Sequence, residues 1–163
     1  MTVSRSPAAY DAMPMHHLAV GAVLRDAAGR LLLVRQFSGL WTLTGGVVES
    51  TEDPVSAVRR EVEEEVGLTV VPTLRAVDWF PPAGSRRRGL AYYLFEAPIP
   101  VGTGIEADPA EIADWEFVSA DEALRRCDTN ISRVLGCVLE SPRPGPGGAR
   151  TGSRFPWRWE GEQ

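Results

Sequence analysis

Residues 45–68 read GGVVESTEDPVSAVRREVEEEVGL, and their reading decides the fold. Asp53 is a good helix cap, because its side-chain oxygen can accept from the first free N–H groups. Pro54 suits the first helical position, where a missing N–H costs nothing. Val55, Val58, Val62 and Val66 recur at three- and four-residue spacing. At ~100° per residue they form one narrow stripe, the face expected to pack on a sheet. Gly67 suits the left-handed position just past a helix end. The spacing thus predicts a helix over 53–66.

On the same helix Glu61, Glu64 and Glu65 stand at i, i+3 and i+4. Their carboxylates are expected to line one side, away from the valines, and to repel one another. Arg60 can reach Glu64 one turn on, yet one guanidinium does not neutralise three acids. A hard divalent cation would, since Mg²⁺ takes oxygen ligands and favours one or two carboxylates plus phosphates and waters. By itself, a run such as Glu61, Glu63, Glu64 and Glu65 is an ordinary solvated helix face. The residues around it add the information.

Working outward, LAVGAVL (18–24) and Leu31–Val34 are short apolar runs separated by the turn Asp26-Ala27-Ala28-Gly29, the pattern of a hairpin. Trp41–Leu43 reads as a short strand ending at Gly45-Gly46. After the helix, Leu68–Val71, Leu74–Phe80, LAYYLF (90–95) and Trp115–Val118 read as strands, with a Pro/Gly turn at 81–85 and a loop over 98–110. Ser119 is placed to cap a helix over 120–126 with Glu122 completing a capping box, and a last helix is expected over 130–139. Residues 1–15 read as an arm, 16–140 as the folded domain, and 141–163 as a Pro/Gly-rich tail with Phe155, Trp157 and Trp159 near its end.

The chain's 163 residues suffice for one domain with a real core. Its net charge of −5 and lack of a long Lys/Arg run argue against salt-driven binding of a nucleic-acid polymer. A small anionic substrate stays open, because a metal ion can invert the field of an acidic site. Cys127 and Cys137 are the only cysteines, too few for a disulfide framework or paired zinc motif, and are expected to be buried, reduced thiols. The first residues lack a signal-peptide pattern and no apolar run approaches the ~20 residues of a membrane span, so a cytoplasmic protein without membrane contact is expected.

The whole pattern, Gly46, five residues, Glu52, seven residues, then Arg60-Glu61-Val62-x-Glu64-Glu65-x-Gly67-Leu68, resembles the box of the Nudix hydrolase superfamily at every fixed position. Thr51 stands where many members carry glycine, and Thr44 where many carry proline before the glycines. The likeness extends from about residue 16 to 140 and includes Glu111-x-x-x-Trp115.

This resemblance implies an α/β fold: a Nudix-like α/β/α sandwich with a mixed sheet. It implies that Glu61, Glu64 and Glu65, with the Gly45 or Gly46 carbonyl, hold Mg²⁺ or Mn²⁺, that Arg60 orients the carboxylates, and that Glu52 holds Arg60 or touches a metal through water. Glu61, Glu64 and Arg60 would act in catalysis. Glu111 is the candidate later-loop acid, ahead of Glu106 and Glu96. The cation would offset diphosphate charge and lower the pKa of an attacking water.

Outside the box, Arg86, Arg87 and Arg88 can clamp phosphates or simply line a solvated loop. Trp41, Phe37, Trp79, Phe80 and Tyr93 can stack on a base or belong to the core. His16 and His17 are adjacent, so on a strand they face opposite ways and cannot share one metal.

The expected function is metal-dependent hydrolysis of a diphosphate bond in a nucleoside diphosphate linked to another moiety, as in a nucleoside triphosphate, ADP-ribose or a nucleotide sugar. The alternative is a non-catalytic nucleotide-binding or sensor module of the same fold. A small-molecule phosphoanhydride is the expected partner, and homodimerisation is a further possibility.

Overall fold

The computed structural model describes residues 14–99 and 104–141. The arm before Pro14 and the tail beyond Ser141, with its three aromatics, lie outside the described residues. The strands are β1 (His17–Arg25), β2 (Leu31–Arg35), β3 (Trp41–Thr42), β4 (Thr73–Phe80), β5 (Leu90–Pro98) and β6 (Asp114–Val118). The helices are α1 (Pro54–Val66), α2 (Ala120–Arg126) and α3 (Thr129–Glu140).

The strands form one mixed sheet in the order β3-β2-β1-β5-β4, with β6 on the other side of β2. β1 and β5 run parallel over nine residue pairs, His17↔Leu90 to Arg25↔Pro98, and the remaining pairings are antiparallel. The expected hairpin of β1 and β2 is paired only at Arg25↔Leu31. Beyond that corner the two strands diverge. Residues 41–47 line the gap: Trp41–Thr42 pair with β2, and past Leu43 the chain returns along β1 through the bridges Ala22↔Thr44 and Ala19↔Val47. The Gly-Gly turn is thereby fastened to the centre of the sheet.

Side chains alternate across the sheet and supply two cores. Val20, Ala22, Leu24, Leu32 and Val34 pack with α1, while Ala19, Val23, Leu31, Leu33 and Leu94 pack with α2 and α3. This is the three-layer α/β/α sandwich.

α1 begins as its sequence dictates. The Asp53 carboxylate accepts from the N–H groups of Val55 and Ser56, Pro54 follows, and Gly67 ends the helix at φ 69°. The buried arc is rotated from the valine stripe. Val58, Val62 and Val66 are buried with Ala57 and Glu65, whereas Val55 is 40% exposed. At ~100° per residue Ala57 and Val66 bound an arc whose middle falls on Val58 and Glu65, so Val55 belongs to its edge. Val55 also sits in the first turn, which is held by the Asp53 cap.

Three other expectations differ in detail. Residues 68–71 form no strand, although Leu68 and Val70 are buried. Ser119 does accept from the Glu122 N–H, but the Glu122 carboxylate is taken by Arg125 instead of closing a capping box. Cys127 is buried but Cys137 is exposed, because it is rotated away from the Ile131, Val134, Leu135 and Val138 stripe of α3; both thiols are free. Among the described residues no helix is long and apolar enough to cross a membrane.

Candidate active site

The site lies where α1 crosses the Gly-Gly turn. Arg60 is its hub. Its Nη2 donates to Glu52 Oε1 at 2.6 Å and its Nε to Glu52 Oε2 at 3.2 Å. Nη1 donates to Glu61 Oε1 and to Glu64 Oε2, each at 2.9 Å, and Nη2 also reaches the Val47 carbonyl at 3.2 Å. One side chain thus ties the loop, the turn and two acids of the helix together. Its acidic partners, Glu52 first, drive the Arg60 pKa above its ordinary value, so it stays charged. The same contact holds the Glu52 carboxyl below the usual carboxylate range.

Glu65 departs most from sequence expectation. Instead of lining an outer side with its neighbours, it points into the buried arc and is only 8% exposed. Its Oε2 accepts from the Gly45 N–H at 2.9 Å. Burial pushes its carboxyl up to about 8; the Gly45 N–H opposes the rise, and the charges of Glu61, Glu111 and Glu64 add to it. Burial also raises Glu61, against the offset from Arg60. Glu64 projects outward, its side chain 51% exposed.

The two glycines are required for different reasons. Gly45 has φ 145°, and a Cβ there would strike the backbone of Val20 and Gly21. At Gly46 a Cβ would occupy the place of the Glu61 carboxylate, so the missing side chain makes that carboxylate's cradle. The Gly46 carbonyl is engaged by the Val20 N–H at 2.9 Å. Beside them Thr44 is 0% exposed, and its hydroxyl has no hydrogen-bond partner. Such an orphan costs about 1–3 kcal/mol.

The loop carrying Glu111 is fastened to the far end of α1, with the Asp108 N–H on the Glu65 carbonyl at 3.0 Å and the Glu106 N–H on the Val66 carbonyl at 3.1 Å. Glu111 stands close enough for its charge to act on both Glu61 and Glu65. Glu106 sits instead against Gly67 at the helix end. Glu96 is not a site acid. It shares the sheet face of Val23, opposite α1, and pairs with Arg25 at 2.6 Å and with Arg75.

The remaining candidates lie outside the acid cluster itself. The Arg86 guanidinium donates to the carbonyls of Phe80, Pro81 and Arg88 at 2.7–3.0 Å, so the expected phosphate clamp is already occupied in bracing the β4–β5 turn. Arg88 is exposed on that turn. Trp41 is half-buried, with the Arg126 guanidinium 3.9 Å over its ring. Among the other aromatics, Phe80 stacks on Tyr92 in the core, Trp79 meets His16 edge-on, and Phe37 is exposed.

Comparison with known proteins gives the family. The NUDIX domain family profile matches residues 15–135. A MutT-like protein of Streptomyces ambofaciens is 35% identical over 115 residues, covering 69% of this chain and 70% of its own length. An RNA pyrophosphohydrolase of Acidiphilium cryptum is 37% identical over 86 residues, 43% of this chain and 52% of that protein. The crystal structure of a MutT protein from Methanosarcina mazei superposes with a TM-score of 0.65 at 22% identity, covering 77% of this chain and 96% of the other, a likeness of fold. The chain belongs to the NUDIX domain family and so to the Nudix hydrolase superfamily.

Proposed function

We propose that this protein is a divalent-metal-dependent pyrophosphohydrolase that cleaves the diphosphate of a nucleoside diphosphate linked to a further group, in a nucleoside triphosphate, ADP-ribose or nucleotide sugar. The observation that carries this reading is the Arg60-centred cluster, in which Glu52, Glu61 and Glu64 surround one guanidinium and Glu65 lies one helical turn beyond Glu61.

Among the described residues no three acids are already gathered as a metal cage. The donor chemistry nevertheless suits a hard cation: all the side-chain donors are carboxylates, and two of them, Glu61 and Glu65, have pKa values raised by burial first and by their neighbouring acids second. The glycine cradle leaves the Glu61 carboxylate room beside the turn. Glu61, Glu64 and Glu65 with the Gly45 carbonyl would hold Mg²⁺ or Mn²⁺. Such an ion would offset the charge of the diphosphate and make water a better nucleophile there.

The protein's own groups have separate tasks in this reading. Arg60 keeps Glu61 and Glu64 aimed together and is fixed in turn by Glu52. Glu111, exposed at the edge of the cluster, is the proposed acceptor of the proton from the attacking water. Arg88 and Trp41 are proposed substrate contacts, and Arg86 is given the bracing part.

The test is a panel of nucleoside triphosphates, ADP-ribose, nucleotide sugars, dinucleoside polyphosphates and a 5′-triphosphorylated RNA oligonucleotide, assayed with Mg²⁺ and Mn²⁺ and scored by product mass. The RNA arm answers to the name of the Acidiphilium cryptum relative, against which the net charge of −5 argues here. A metal-stimulated nucleotide product that Glu64→Gln abolishes supports the proposal. Tight nucleotide binding with no product from any substrate would sink it in favour of a sensor module.

A further inference from the structure

Thr44 is a buried hydroxyl beside the acid cluster that the reading above leaves unused. It is fully buried and its Oγ1 has no partner. Two independent observations give its direction. It is bridged to Ala22, and bridged residues project to one face; Ala22 packs with α1. It also stands two residues before Gly46, whose missing Cβ faces the Glu61 carboxylate, and alternate residues of an extended segment share a face. The side chain therefore lies on the α1 face of the sheet, next to the turn that cradles Glu61.

Covalent geometry narrows its neighbours further. Oγ1 is four bonds from the Gly45 nitrogen, hence no more than about 5 Å from it. That nitrogen already donates to Glu65 Oε2 at 2.9 Å. An ionised carboxylate has more acceptor sites than one N–H fills, and the hydroxyl is a donor with nothing to donate to.

Resting on the metal-site reading above, we infer that Thr44 is a positioning residue: its hydroxyl and the Gly45 N–H form a two-donor cradle for Glu65, and the hydroxyl engages that carboxylate when a divalent cation draws the cluster together. A proline at this position would supply no such donor. The inference gives a task to a fully buried hydroxyl that has no hydrogen-bond partner.

The experiment uses the full-length chain with Mn²⁺ alone as the probe, following its binding by electron paramagnetic resonance, and measures melting temperature in EDTA. Thr44→Val removes the hydroxyl at nearly constant volume; Thr44→Ser keeps it. The expected result is Mn²⁺ binding weakened roughly ten-fold in Thr44→Val and restored in Thr44→Ser, as for other groups that orient metal ligands. In EDTA, Thr44→Val should melt at or above the wild-type temperature, because an orphaned donor has been removed. Wild-type Mn²⁺ affinity in Thr44→Val would overturn the inference while leaving the metal site intact. Loss of folding or a lower melting temperature in EDTA would overturn it too, by showing that the hydroxyl serves the fold. A wild-type protein that binds no Mn²⁺ would sink the metal site itself and this inference with it.

Discussion

Arg60 grips Glu52 with two separate N–H donors, at 2.6 and 3.2 Å, across the junction between the loop and the helix. The remaining donor nitrogen reaches Glu61 and Glu64, so a single planar fork sets the relative positions of three carboxylates. Lysine keeps the charge but not the fork. Arg60→Lys is therefore expected to retain the fold, with a small fall in melting temperature, while hydrolysis drops roughly 10- to 100-fold, the usual effect of losing a group that orients ligands. Steady-state kinetics beside a melting curve decide it, and undiminished turnover in the variant would show that the hub is dispensable.

The buried Glu65 gives a pH dependence with a definite sign. Its carboxyl titrates near 8 in the fold against an ordinary value of 4.5. Between these values the unfolded chain releases the proton while the folded chain keeps it, so stability falls as pH rises. In EDTA the loss is expected to approach about 1.4 kcal/mol per pH unit from this group. It should run from about pH 4.5 to 8 and flatten above. Glu65→Gln should remove most of that slope. Melting temperatures from pH 5 to 9 test this; an equal slope in both proteins would mean that Glu65 is not the group responsible.

The adjacent glycines should respond unequally to alanine. At Gly45 the new Cβ meets backbone and the residue is held at φ 145°, so neither obstacle can swing aside. Gly45→Ala is expected to cost about 3 kcal/mol or more. At Gly46 the Cβ meets only the Glu61 carboxylate, a flexible side-chain end. Gly46→Ala should spare more of the stability and lose activity by displacing that acid. Denaturant titrations and turnover of the two variants should reverse in rank order if the cradle has been misassigned.

The rotated buried arc of α1 separates two valines that the sequence pattern treats alike. Val58 is wholly buried and Val55 is 40% exposed. Val58→Ala should cost about 2 kcal/mol through lost burial and a residual cavity. Val55→Ala should stay within about 0.5 kcal/mol. Equal effects in urea unfolding would restore the symmetric stripe.

Arg86 spends its guanidinium on three backbone carbonyls of its own turn. Arg86→Ala is accordingly expected to lower the melting temperature and leave KM for the best substrate unchanged. A raised KM at an unaltered melting temperature would return Arg86 to the role of phosphate clamp.

What the sequence determined by itself was local. Asp53, Pro54 and Gly67 bound α1 because capping and the left-handed turn depend on the backbone within a few residues. The i, i+4 contact of Arg60 with Glu64 follows from helical spacing alone. The box also carried the family and hence the three-layer fold.

Tertiary packing decided the rest. Glu65 looks like another surface acid along the chain, and only the sheet and the Gly45 N–H make it the buried one. Glu111 acts on the cluster because its loop is fastened to the end of α1, whereas Glu96, an equally plain glutamate, faces the other side of the sheet beside Arg25 and Arg75. Thr44 stood out along the chain only as a residue where many members carry proline; its orphaned hydroxyl is defined by what surrounds it. Burial and through-space charge depend on residues distant in the chain, and no local pattern encodes them.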